Sequence, residues 1–81
     1  MSDIIMQSWI NTDNRRYYRA HLQPDLFGDW TLVRSWGSLD DGRGQVMIST
    51  FNDPAVGKHI LADISRRRLA HGYLLLAERP A

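Results

Sequence analysis

The sequence predicts an α+β fold: a twisted antiparallel β-sheet of four to five strands with one α-helix packed on a face. Three observations predict it. Four β-prone runs, at 4–10, 16–23, 30–36 and 45–51, are separated by clusters of Asn, Asp, Gly and Pro. The connections are short, which makes an antiparallel meander the economical arrangement. A later segment that starts with proline carries apolar residues at helical rather than alternating spacing.

Each element has its own reason. Residues 4–10 are apolar and β-prone, and Asn11-Thr12-Asp13-Asn14 turns the chain. Residues 16–23 alternate, with Tyr18, Ala20 and Leu22 on one face and Tyr17, Arg19 and His21 on the other, the mark of a half-buried strand. Pro24-Asp25-Leu26-Phe27-Gly28-Asp29 breaks that strand, and 30–36 resumes as a third. Asp41-Gly42 is a hairpin signal, because Gly supplies positive φ without steric cost. Residues 45–51 form the fourth strand.

Asn52 or Asp53 can cap the helix, and Pro54 suits its first turn, where the missing N–H is no loss. The helix is expected to run to about Ala70 or His71, with Gly72 as its stop. Val56, Ile60, Leu61 and Ile64 make the stripe that packs on the sheet. Beyond Ile64 the same side carries Arg67, Arg68 and His71, so the helix end leaves the core or these side chains snorkel outward. Residues 73–76 read as a short final strand and 77–81 as a loose tail. The expectation is one domain over 1–81 with a core of about 4–76, without repeats or low-complexity segments.

Composition narrows the function. The 81 residues contain no cysteine, which excludes disulfides and Cys-based zinc sites and leans towards a reducing, cytoplasmic setting. No stretch approaches the roughly 18 apolar residues of a membrane span, and Ser2-Asp3 after Met1 is unlike a signal peptide. The net charge of +1 is uninformative, but its distribution is not. Arg15, Arg16 and Arg19 cluster at the second strand and Arg66, Arg67 and Arg68 near the helix end, while Asp25, Asp29, Asp40 and Asp41 sit in turns. This pattern suits polyanion binding, and suits a solvated surface equally well. His21, His59 and His71 are scattered, and no nucleophile–base pair or metal-ligand spacing occurs. No catalytic residue, metal, cofactor, small-molecule substrate or membrane partner is expected.

The most informative motif is Trp36-Gly37 at a strand end, followed by Gly42-Arg43-Gly44-Gln45 opening the next. With Arg16-Tyr17-Tyr18 upstream, and the Pro-started helix and Gly72-Tyr73 downstream, this order resembles the WGR domain. That small module is named for a Trp-Gly-Arg signature; it occurs in DNA-damage-responsive poly(ADP-ribose) polymerases and as bacterial stand-alone proteins. The resemblance runs from about Arg16 to Tyr73. It departs at the third signature position, which is Ser38, and in the longer, more acidic turn Leu39-Asp40-Asp41-Gly42.

The resemblance implies nucleic-acid binding, to DNA with an exposed end or break, and RNA is not distinguished from DNA. It gives Trp36 a place against the nucleic acid near a strand terminus. ADP-ribosyl transfer belongs to a separate domain of the polymerases, so the resemblance implies binding and not enzymology. The candidate residues are Arg34, Trp36, Gly37, Arg43 and Gln45, with Arg16, Lys58 and Arg66 as a secondary basic surface. Arg43 would replace the missing signature arginine from across the turn. Each has a plainer reading beside it. Trp36 can be a core residue or plug the sheet end, the Gly-rich segment can be only a hairpin turn, and Arg66 to Arg68 can answer the helix dipole. The rival function is a protein-interaction module using the same surface or the helix.

Overall fold

The structure is a computed structural model that describes residues 3–80. Five strands and one helix follow in the order β1 (Ile5–Asn11), β2 (Arg16–Pro24), β3 (Trp30–Ser38), β4 (Gly44–Phe51), α1 (Pro54–Ala70) and β5 (Leu74–Pro80). The strands form one antiparallel sheet in the order β4-β3-β2-β1-β5. The first four make the expected meander. The helix then carries the chain back across one face and delivers β5 to the free edge of β1.

β5 is longer than hydropathy suggests. It runs on through the segment expected as a tail, pairing up to Ile5↔Pro80 with a register shift at Ser8/Trp9. The gain is backbone hydrogen bonding along an otherwise open edge, to which a charged side chain such as Glu78 is no obstacle. Ala81, the last residue of that expected tail, lies outside the described residues.

The core lies between α1 and one sheet face. Trp9, Tyr18, Ala20, Leu22, Leu32, Leu61 and Ile64 are buried, flanked by Ile5, Trp30, Trp36, Phe51, Ile60 and Tyr73. The expected alternation in β2 holds. The helix stripe needs one correction: Val56 is exposed and Gly57 faces the sheet in its place. A Cβ on Gly57 would stand 2.5 Å from Leu22 Cδ1 and 2.9 Å from the Phe51 ring. A hydropathy pattern does not register a glycine, although here the missing side chain is what lets the helix approach.

Asp53, not Asn52, caps α1 by accepting from the Ala55 N–H at 2.9 Å. The other end closes as a Schellman motif: Gly72 (φ 81°) donates to the Leu69 carbonyl at 3.2 Å and Tyr73 to the Arg68 carbonyl at 2.9 Å. Asn11, buried at the end of β1, donates from Nδ2 to the His71 carbonyl and accepts the Asp13 and Asn14 N–H groups on Oδ1. One side chain thus ties the β1–β2 turn to the helix end. Gln7, also buried, accepts from Trp9 Nε1 and donates to Ser65 Oγ and Glu78 Oε1, linking β1, α1 and β5.

The basic end of the helix divides. Arg67 and His71 are exposed. Arg68 does not snorkel outward: its Nε is shielded from solvent and its guanidinium carbon lies 4.5 Å from the Tyr18 ring centre and 5.0 Å from that of Tyr73, where the ring faces attract the cation.

Candidate nucleic-acid interface

The site is built by the β3–β4 hairpin, at the corner of the sheet that α1 leaves uncovered. Cross-strand register sets Trp36 opposite Gln45 and Gly37 opposite Gly44. On its other side Trp36 stands opposite Tyr18, and the two rings stack at 5.9 Å between centroids with 15° between planes. Trp36 is half-buried, so it is neither a core residue like Trp9 nor a free-standing ring. It ends a ladder, Tyr73–Arg68–Tyr18–Trp36, that reaches from the helix terminus to the hairpin. A ring held this way keeps a fixed plane while remaining partly open to solvent.

The glycines of the motif serve strand approach. A Cβ on Gly37 would overlap the Arg43 carbonyl, and one on Gly44 would overlap the Tyr17 hydroxyl. Gly42 takes φ 69°, as the Asp-Gly signal requires. The polar residues of the turn are also occupied. Ser38 Oγ accepts the Asp40 N–H at 3.1 Å and Asp41 Oδ1 accepts the Arg43 N–H at 2.9 Å. Asp40 pairs with Arg15 at 2.5 Å, while the Arg15 carbonyl accepts the Leu39 N–H and Arg15 itself adopts φ 55°. Ser38 therefore replaces an arginine with a turn-forming hydroxyl. The acidic residues organise the backbone, one of them neutralised by an arginine. With its amide hydrogen bonded to Asp41, Arg43 has only its guanidinium to offer an anion.

Arg16, Trp36, Gly37, Arg43, Gly44 and Gln45 line one cleft of about 230 Å³, and none of them is acidic. Four of the five primary candidates thus come together, joined by Arg16 from the secondary set. Arg34 shares the sheet face of Trp36 but lies one step along it, opposite Met47 and Ala20, with its Nε shielded and without a hydrogen-bond partner. It does not line the cleft. Lys58 pairs with Asp3, beside the start of β1, and Arg66 with Asp63 on the helix. These two are engaged elsewhere. Tyr18 belongs to the Arg16-Tyr17-Tyr18 segment that carries the resemblance, but its stacking under Trp36 and the Arg68 guanidinium behind it follow from cross-strand register and helix direction, which no motif shows.

Among the described residues no group of three or more His, Cys, Asp or Glu could hold a metal ion. Among the same residues no helix is long and apolar enough to cross a membrane.

Comparison with known proteins decides the family. The model of the WGR domain matches residues 2–79, nearly the whole chain. The chain belongs to the WGR domain family. It is also similar to the uncharacterized protein y4dW of Sinorhizobium fredii (strain NBRC 101917 / NGR234), 34% identical over 58 residues. That match covers 72% of this chain and 28% of the relative, so this WGR chain spans well under half of the protein it matches. No solved structure matches it.

Proposed function

We propose that this WGR chain is a nucleic-acid-binding module that engages DNA at an end or break. The observation that carries the reading is the cleft lined by the stacked Trp36, Gln45, Arg16 and Arg43 without a lining carboxylate. The ring offers a stacking surface for a base or terminal sugar, and an arginine fork suits a phosphate oxygen pair. Arg43 supplies the cation that Ser38 does not. Arg34, outside the cleft but on the same face of β3 and without a carboxylate partner among the described residues, would extend the contact along that strand.

The test is a titration of labelled blunt-ended duplex, single strand and closed circular DNA, with an RNA strand alongside, at low salt. Binding that favours the open ends supports the reading. No binding to any of them at about 100 μM protein, weaker than ordinary non-specific affinity, removes it and leaves the protein-interaction rival. The proposal is of binding alone: with NAD and a DNA end, this chain forms no ADP-ribosyl product. Turnover lost on changing a single His or Asp would overturn that part.

A further inference from the structure

Among the described residues nothing covers the sheet face turned away from α1. By register it carries Met6 on β1, Arg19 and His21 on β2, Val33 on β3, and Val46 and Ile48 on β4, the last two each 65% exposed. Across β1, β2, β3 and β5 this face sinks into a groove of about 560 Å³. Apolar walls from Met6, Val33 and Leu76 surround it, and none of its lining residues is Asp or Glu. Arg19 stands at it with its guanidinium over the Tyr17 ring, and His21 Nε2 is shielded from solvent without a hydrogen-bond partner. Such a groove fits an apolar group that arrives with negative charge.

The same chain presents such a group. In the β2–β3 loop, Leu26 is 96% exposed and Phe27 88% exposed, side by side. They do not lie on a slack loop. Asp25 Oδ1 accepts the N–H groups of Phe27 (2.8 Å) and Asp29 (3.0 Å), the Asp25 N–H donates to the Asp29 carbonyl (2.8 Å), and Gly28 takes φ 87°. The turn holds two large apolar side chains out in water between two aspartates, with little left to order on binding.

We propose that the 25–29 knuckle of one copy seats in the open-face groove of a second copy. Leu26 and Phe27 cover the apolar walls and Asp29 meets Arg19 and His21. Because knuckle and groove belong to the same chain, reciprocal seating closes as a two-fold dimer. Trp36 and Gln45 lie on the other sheet face by register, so the dimer does not depend on the nucleic-acid reading.

The test is sedimentation equilibrium of the full chain from about 10 μM to 1 mM, the affinity range of a small, transient contact. A monomer–dimer equilibrium is expected. Phe27→Ser, at a side chain that supports no core, should fold normally, stay monomeric and keep its DNA affinity. Arg19→Glu and Asp29→Lys should each weaken dimerisation at least tenfold. Mixed, they should recover it, because the heterodimer has one native and one charge-reversed contact. Wild type that is monomeric throughout, dimers indifferent to Phe27→Ser, or a mixture that does not recover would each overturn the proposal.

Discussion

Trp36 and Trp9 differ in burial, and that difference makes a test. Trp9 is 1% exposed with its indole N–H bonded to Gln7, whereas Trp36 is half-buried and leans on Tyr18. Trp9→Ala should cost about 3–5 kcal/mol of folding stability, the usual loss for a buried large aromatic. Trp36→Ala should cost less, mainly partial burial and a stacking contact of about 0.5–1.5 kcal/mol. It should also weaken nucleic-acid binding by about 1–3 kcal/mol. Denaturant melts of both variants, with a DNA titration of the second, check this. A Trp36→Ala protein that binds like wild type would take Trp36 out of the interface. Trp30, of equal parity on β3, is half-buried too and makes a weaker contrast.

At the scale of elements, the helix and hairpin depend on places where a side chain is absent. Gly57→Ala sets two effects against each other. Alanine favours a helix interior over glycine by about 1 kcal/mol, but the new Cβ would press on Leu22 and Phe51, and overpacking typically costs about 1–3 kcal/mol. The variant should be destabilised on balance, and a thermal melt above wild type would refute the tight helix–sheet contact. Gly37→Ala should do more harm, since its Cβ would meet the backbone carbonyl of Arg43, which cannot rotate away as a side chain can. Loss of the cap in Asp53→Ala should cost about 0.5–2 kcal/mol while leaving DNA affinity unchanged once folded, because Asp53 lies outside the cleft.

For the whole molecule, the net charge of +1 makes non-specific attraction to a polyanion small, so local arginines must supply the salt dependence. Two to four phosphate contacts give a slope of log K against log salt of about −2 to −4. Arg43→Gln should make that slope shallower by about one. Arg66→Gln, which removes a cation paired with Asp63 on the helix, should leave it unchanged. Equal effects of the two would mean that binding follows total charge rather than the cleft.

The sequence by itself determined the elements and named most of the residues that line the Trp36 cleft. Period-two runs, the Asp-Gly turn, the Pro-started helix and the Gly72 stop are local signals, set by what each residue's own backbone and neighbours allow. The Trp36-Gly37 and Gly42-Arg43-Gly44-Gln45 segments are likewise contiguous, so the family could be read from them. Tertiary structure decided whatever depends on partners distant in sequence. Val56 gave way to Gly57 because the sheet surface selects for close approach as well as hydropathy. β5 extended because β1 had an open edge to fill. Arg16 entered the cleft while Lys58 and Arg66 went to carboxylates, because side-chain neighbours across strands follow from register and helix direction. Trp36 became the end of a stacked ladder for the same reason: Tyr18 is half a hairpin away in sequence and Arg68 a whole helix away, and only folding sets them against each other.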